Sequence, residues 1–182
     1  MSGIKPLLIE LGCEELPANQ VTQLVNRLAE GICSHLENHQ LIDGDVSAEV
    51  FATPRRLAVL IQNVTSAQPD QVIERKGPSV DAAFDSDGQP TKAAQGFAQS
   101  VGQSVDTLER LKTDQGEWLA ATVHQPGQTL EAVLQVALTQ VIKDLASAKS
   151  MRWHAGDERF VRPVRWCVLL HGSDILKGEL FG

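Results

Sequence analysis

The sequence is poor in aromatic residues and contains no tyrosine. Aromatic residues make up only 4% of its 182 positions, which argues against a protein that binds nucleic acid mainly by stacking bases on aromatic rings. Hydrophobic residues nevertheless reach 42%, so the core is expected to be mostly aliphatic. A chain of this length is long enough for one domain, or for a core with an inserted lobe.

Cysteines and long apolar runs are also scarce. Cys13, Cys33 and Cys167 are an odd number at wide spacing, and the N-terminus lacks the basic and then apolar pattern of a signal peptide. No apolar run is longer than that from Trp166 to Leu170, which is far shorter than the roughly 20 residues that span a bilayer. These features predict a cytoplasmic protein with reduced thiols and no membrane partner.

Several motifs of catalysis and cofactor binding are missing. The sequence has neither a glycine-rich phosphate loop nor a Gly-x-Ser-x-Gly elbow, so it predicts no bound cofactor in this chain. His35 and His39 stand four apart on a predicted helix, but Leu36 occupies the position of the catalytic glutamate of a zinc peptidase. Residues 85–88 resemble a calcium loop whose glycine comes too early. We therefore predict no metal site.

The hydrophobic periodicity predicts an α+β fold. We expect a mixed or antiparallel sheet packed by two long amphipathic helices, with a small inserted α+β lobe. The predicted strands are Leu7–Leu11, Ala48–Ala52, Arg56–Val64, Val164–His171 and a last one from Ile175, and the predicted helices are Pro17–Leu36 and Leu130–Leu145.

A change in composition marks the inserted lobe. Residues 67–127 are rich in Gln, Asp, Gly and Pro, whereas 1–66 and 128–182 form the predicted main core. Within the lobe we expect a strand at Val72–Lys76, a turn at Gly77-Pro78, a helix carrying Ala94 to Val101, and a hairpin around Gly116. The last six residues read as a strand without a polar tail, which suggests a truncated N-terminal fragment of a much longer chain.

The arginines are clustered rather than dispersed. Seven of the nine lie in three short segments, and with one neighbouring lysine they are the candidate binding residues: Arg55, Arg56, Arg75, Lys76, Arg152, Arg159, Arg162 and Arg165. Guanidinium groups hold phosphate or carboxylate through paired donors, and adjacent prolines fix the backbone that presents them. Because the net charge is −7, any contact with a polyanion must be local. The alternative is internal pairing with carboxylates at Glu10, Glu14, Glu15, Asp157 or Glu158.

No catalytic residue is predicted. Glu14 and Glu15 are adjacent on an extended chain, so their side chains point to opposite sides and would rarely share one substrate. Nothing in the sequence places Cys13 and His154 together as nucleophile and base. An independent enzyme using Glu14, Glu15 and His154 is the weakest of the hypotheses.

An ordered series of motifs covers the whole chain. The segments are Leu7–Pro17, Thr53–Leu57, Arg75–Pro78, Lys92–Phe97, Gly116–Leu119, Met151–Trp153 and Phe160–Val164. Together they resemble the β subunit of bacterial heterotetrameric glycyl-tRNA synthetase. Two positions depart from the expected pattern, since Cys13 stands where threonine is expected and Arg75 and Lys76 are in swapped order.

The resemblance implies an α2β2 enzyme that joins glycine to its tRNA using ATP. It places the adenylation site, with ATP and Mg²⁺, in the α subunit and implies tRNA recognition by the β subunit. The implied partners are the α subunit, tRNA-Gly and the remainder of the β subunit, whose chain would continue beyond Gly182.

Two hypotheses follow for this part of the protein. In the first, the arginine segments grip the phosphate backbone of tRNA, and binding weakens steeply with salt. In the second, the chain is a scaffold that docks the α subunit or the rest of the β subunit without touching tRNA, and its salt dependence is milder.

Overall fold

A computed structural model describes residues 3–86, 88–113, 116–145, 150–152 and 159–180. The fold is α+β with antiparallel sheets, as the sequence predicts. The chain forms two compact units, a larger one of Met1–Pro69 with Gly127–Gly182 and a smaller one of Asp70–Pro126. The elements are β1 (Lys5–Cys13), α1 (Val21–Asn38), β2 (Ala48–Thr53), β3 (Arg56–Val64), β4 (Gln71–Ser79), α2 (Val80–Ala83), α3 (Lys92–Ser100), β5 (Glu109–Thr113), β6 (Gly116–Gln125), α4 (Leu130–Leu145), β7 (Val164–His171) and β8 (Asp174–Ile175).

The larger unit contains a five-stranded antiparallel sheet in the order β2-β3-β1-β7-β8. On the central strand β1, Leu7, Ile9 and Leu11 are fully buried, whereas Leu8 and Glu10 between them are only partly buried. This alternation is the period of two of a strand that packs one face on a core. The sheet therefore has a core face and an opposite face.

Helices α1 and α4 contribute buried side chains to the same hydrophobic cluster as the core face. The buried positions of α1, from Leu24 through Leu28 and Ile32 to Leu36, follow the spacing of three and four residues that defines one helical face. The two helices approach closely, because a Cβ at Gly31 of α1 would lie 2.7 Å from a methyl carbon of Val141 on α4. The core is almost entirely aliphatic, and Phe160 is its one fully buried aromatic ring among the described residues.

The smaller unit contains a three-stranded antiparallel sheet in the order β4-β6-β5. Its own small core is formed by Ala83, Ala94 and Leu119, with Phe84 and Phe97 packed against it. The sequence pattern missed α2 and a single 3-10 turn at Val105–Thr107, because elements of four and three residues are too short for periodicity to register.

A short paired segment stands where the chain leaves and re-enters the larger unit. The Gln68 amide donates to the Gln128 carbonyl at 2.9 Å, and the Leu130 amide donates to the Ser66 carbonyl at 2.9 Å. The Gln128 amide also donates to the side-chain oxygen of Gln68 at 2.9 Å. A Cβ at Gly127 would overlap the Gln68 carbonyl, so only glycine permits this approach of two backbones. We call residues 66–69 and 127–130 the neck.

One predicted helix boundary and one predicted turn were wrong. The first helix begins at Val21 rather than near Pro17. Pro17 opens a turn before the helix, in which its carbonyl accepts the Gln20 amide at 2.8 Å. The predicted turn at Gly77-Pro78 is instead part of β4. Pro78 is tolerated because β4 is an edge strand and its pairing with β6 is irregular between Lys76 and Ser79.

The predicted C-terminal strand is also corrected. β8 contains only Asp174 and Ile175, and residues 177–180 form no strand. The backbone of Glu179 instead exchanges two hydrogen bonds with the side chain of Gln135 on α4, at 2.5 and 2.8 Å. Bonding to a helix side chain replaces the strand pairing that the apolar pattern suggested. The predictions for Trp153, His154, Asp157, Glu158 and residues 181–182 lie outside the described residues.

Candidate functional site

Three loops meet at one end of the sheet in the larger unit. They are residues 13–17 at the end of β1, residues 53–56 where the chain turns from β2 into β3, and residues 161–165 at the start of β7. Backbone hydrogen bonds join them, from the Cys13 amide to the Arg55 carbonyl at 3.0 Å and from the Leu16 amide to the Pro54 carbonyl at 2.7 Å. The Glu14 amide donates to the Pro163 carbonyl at 2.9 Å. The three loops therefore form one cross-linked backbone surface, which we call the loop surface.

Two of the predicted arginines link these loops through their side chains. Arg165 Nε lies 2.7 Å from Glu14 Oε1 in an exposed ion pair. Arg162 donates from Nε to the Glu15 carbonyl at 3.1 Å and from Nη1 to the Val161 carbonyl at 2.8 Å. The carboxylate pairing that the sequence left open as an alternative is thus found at Arg165, whereas Arg162 bonds to backbone carbonyls instead. Each of these two arginines has a structural contact of its own.

A third predicted arginine belongs to a cluster with Trp166 and Glu10. The indole Nε1 of Trp166 donates to Glu10 Oε1 at 2.9 Å, and Arg56 Nη1 lies 3.8 Å from Glu10 Oε2. The guanidinium of Arg56 is 5.6 Å from the centroid of the Trp166 ring, within the range of a cation–π contact. Gly12, opposite both Arg56 and Trp166 in the sheet register, leaves the space that the ring occupies.

Other predicted residues are exposed and have no partner among the described residues. The side chains of Arg55 and Arg159 in the larger unit, and of Arg75 in the smaller one, form no hydrogen bond or ion pair within that part of the chain. The backbone of Arg55 is nevertheless fixed, because its carbonyl accepts the Cys13 amide. Arg159 directly precedes the fully buried Phe160. Arg152 is exposed as well, but it is not without a partner.

In the smaller unit, Lys76 and Arg75 differ in environment. The Lys76 ammonium lies 3.8 Å from the centroid of the Trp118 ring, and residues that are adjacent on a strand point to opposite faces. Arg110, which lies outside the three predicted segments, has its guanidinium 5.7 Å from the centroid of the Phe84 ring. Two of the three cation–π contacts in the described structure are therefore in this unit.

Cys13 is not an activated nucleophile. Cys13 is buried, and this burial together with the neighbouring Glu14 raises the pKa of its thiol to about 11. At neutral pH the thiol is protonated and a weak nucleophile. Glu14 is engaged with Arg165, and His154 lies outside the described residues.

His35 lies in the last turn of α1, and His39 directly follows the end of that helix. His39 Nδ1 lies 3.0 Å from the side-chain nitrogen of Gln68, so its ring is oriented by the neck. In the described portion of the chain, no three His, Cys, Asp or Glu side chains converge as metal ligands. None of the helices in that portion is long and apolar enough to cross a membrane.

A separate cleft of about 550 Å³ lies beside the neck. Its walls include Gln40, Ile42, Thr65 and Gln68, and Asp43 is the one ionisable group among the described residues that line it. A single carboxylate among neutral groups supplies neither an acid–base pair nor a phosphate clamp.

The cluster of Glu10, Gly12 and Trp166 was not predicted from the sequence. A signal for it was present, because Glu10 and Gly12 interrupt an otherwise apolar strand at positions of one face. The pairing itself was not visible, since Trp166 lies 156 positions from Glu10.

Comparison with known proteins identifies the family. The sequence model of the family described as "Glycyl-tRNA synthetase beta subunit" matches residues 7–182. The glycine–tRNA ligase beta subunit of Chromohalobacter salexigens is 44% identical over 180 residues, which cover 97% of this chain and 25% of the relative. The proteins of the same name from Xylella fastidiosa (strain M12) and Vibrio cholerae (strain O395) are each 42% identical, covering 100% and 98% of this chain and 25% and 26% of their own. The chain therefore spans about a quarter of the length of these relatives, and it belongs to the glycyl-tRNA synthetase beta-subunit family.

Proposed function

We propose that this chain serves glycine–tRNA ligase, the enzyme that joins glycine to tRNA at the expense of ATP, by contacting the phosphate backbone of tRNA through its loop surface. Family membership supports the reaction, since the relatives are named as beta subunits of that ligase. In this proposal the α subunit binds ATP and Mg²⁺ and forms the adenylate. That division agrees with a sequence that has no glycine-rich phosphate loop.

The observation that carries the proposal is the guanidinium of Arg55, which has no partner among the described residues and stands on a fixed backbone. The turn that bears it is held by hydrogen bonds to residues 13 and 16, so little conformational entropy is lost when the side chain binds. A guanidinium without a partner among the described residues keeps its donors for paired hydrogen bonds to phosphate. Such contacts position an RNA without reading its bases.

Arg159 supplies a second exposed guanidinium in the larger unit. Its side chain is exposed, and the next residue, Phe160, is anchored in the core. Arg75 and Lys76 supply a second basic segment in the smaller unit, where Lys76 is held against Trp118. These positive groups are local on a chain of net charge −7, which fits a defined contact better than general attraction to RNA.

The test is tRNA binding by the β subunit carrying Arg55→Ala, Arg159→Ala or both, measured at several salt concentrations. Each lost phosphate contact is expected to weaken binding and to reduce the slope of log affinity against log salt by about one unit. Lys143→Ala is the matched control, because it removes one exposed positive charge from α4. Equal affinity and slope in the double variant and the control would refute the proposed contact.

The second candidate function is a scaffold that docks the α subunit or the rest of the β subunit without touching tRNA. It is favoured by the internal partners of Arg56, Arg162 and Arg165, which leave these guanidinium groups less available to phosphate. The same titrations separate the two, since a scaffold keeps its tRNA affinity when Arg55 and Arg159 are removed.

A further inference from the structure

The face of the larger sheet opposite the core is apolar in its middle. Leu60, Leu8, Leu170 and Ile175 lie directly opposite one another on β3, β1, β7 and β8, so their side chains share this face. Ile175 is 80% exposed, and the three leucines lie outside the buried cluster of the larger unit. An antiparallel sheet with one face in water normally carries polar residues at such positions.

A second row of residues continues the same face. Phe51, Ala58, Glu10 and Val168 lie opposite one another on β2, β3, β1 and β7. Phe51 is 52% exposed, and Trp166 in the next row is 41% exposed. We call the face that carries these two rows and Trp166 the open face. A contiguous apolar patch of this kind marks an interaction surface rather than a solvated one.

The central charged cluster of the open face is internally matched, and Glu49, which lies opposite Leu60 at the β2 edge of the same face, adds a negative charge. Glu10 accepts the indole proton of Trp166 and lies beside Arg56, so the cluster contributes no net charge. A surface without excess positive charge binds a phosphate backbone weakly, because that binding depends on basic groups that displace the counterions of the nucleic acid. An aromatic and apolar centre with tryptophan and arginine is instead the composition of a protein–protein interface.

The length of the relatives indicates which protein covers this face. This chain corresponds to about a quarter of each relative, so some three quarters of their polypeptide lies outside the matched region. Two surfaces of one polypeptide are present at a high effective concentration relative to each other. Their docking therefore avoids most of the entropy that is lost when two separate molecules associate. We propose that the open face is an intramolecular docking surface, covered in the longer β subunit by an apolar surface of the polypeptide outside these 182 residues. This proposal rests on family membership and not on the proposed tRNA contact.

Hydroxyl-radical footprinting tests the coverage directly. The oxidation rates of Phe51, Trp166 and Ile175 are compared between the 182-residue chain and a β subunit of the relatives' full length that carries this sequence, without α subunit or tRNA. In the longer protein, the rate of Phe51 is expected to fall to that of the fully buried Phe160. Met151, which is 42% exposed and outside the sheet, is the reference whose rate should change little.

Unchanged oxidation of the open face in the longer β subunit would overturn the proposal. Protection that appears only when the α subunit is added, or only with tRNA, would overturn it too and would identify that partner as the occupant. The arginine titrations are scored separately, so failure of the docking proposal and failure of the tRNA proposal give different results.

A variant test uses charge to disrupt docking. Phe51→Asp and Ile175→Asp place a carboxylate on the open face at exposed edge-strand positions, where the fold itself tolerates it. Val136→Asp is the matched control, since Val136 is 65% exposed but lies on helix α4. In the longer β subunit, small-angle scattering should show a larger radius of gyration for the first two variants than for the control. Identical radii for all three would contradict the proposal.

Discussion

The indole ring of Trp166 lies over Gly12 so closely that a Cβ at position 12 would overlap the ring carbons. Replacing Gly12 with alanine must displace either the ring or strand β1, which is the central strand of the sheet. We expect Gly12→Ala to lower the free energy of unfolding by about 1–3 kcal/mol, the usual cost of overpacking. Urea denaturation of the variant and the parent chain measures the difference.

The control for this prediction is a double-mutant cycle with Trp166→Ala. Removing the indole also removes the overlap, so the cost of Gly12→Ala should shrink in that background. An equal cost with and without Trp166 would show that the ring is not the cause.

Gly31 and Gly96 are both helical glycines, but alanine should have opposite effects at the two positions. Gly96 in α3 is exposed, and a Cβ added there would have nothing within 4 Å. Gly96→Ala should therefore raise stability by about 0.5–1 kcal/mol through helix propensity. At Gly31 the new methyl would press on Val141, and overpacking should outweigh that gain. Thermal unfolding of both variants decides the question, and a rise in Tm for both would contradict the close packing of α1 and α4.

The buried thiols should make the larger unit sensitive to alkali. Burial raises the pKa of Cys167 to about 11, and burial with the nearby Glu14 raises the pKa of Cys13 to about 11, from an ordinary value of 9.0. Because the folded pKa lies above the unfolded one, this stability is fully present below pH 9 and is lost as the pH rises toward 11.

Urea midpoints at the two ends of this pH range measure the effect. Cys13→Ala and Cys167→Ala should show a smaller alkaline loss than the parent chain, although each variant starts from a lower stability. A loss of the same size in the variants would assign the alkaline effect to lysines or arginines instead.

Arg162 and Arg55 should differ in what their removal changes. Arg162 donates to two backbone carbonyls, so Arg162→Ala should lower the free energy of unfolding by about 1 kcal/mol, a typical net value for hydrogen bonds. Arg55 has no such side-chain bonds among the described residues, and Arg55→Ala should stay within about 0.5 kcal/mol of the parent. Chemical denaturation distinguishes them, and equal losses would mean that Arg55 also stabilises the loops.

Periodicity predicted the regular elements well where they are long. Helix α4 has the predicted bounds, Leu130–Leu145, because its buried positions repeat through four turns without a conflicting signal. Strand β3 likewise runs from Arg56 to Val64 as predicted, since it follows a turn that contains Pro54. Gly77-Pro78 was misread because the same dipeptide suits a turn and an irregular edge strand, and only the sheet order distinguishes them.

The candidate site was predictable in composition but not in pairing. The three arginine segments could be named from the sequence, yet Arg165 and Glu14 are 151 positions apart and Trp166 and Glu10 are 156 apart. Which arginines acquire carboxylate partners depends on the register of β1 between β3 and β7, which no local pattern encodes. The separation into partnered and unpartnered arginines therefore needed the structure.

The neck gives the chain a modular character. Because Gln68 and Gln128 are hydrogen-bonded neighbours, the polypeptide that leaves the larger unit returns beside its own point of departure. Everything between them can change in length without moving a residue of the five-stranded sheet. Such a junction tolerates exchange or excision of the intervening segment, so the smaller unit can be replaced as a module without rebuilding the five-stranded sheet.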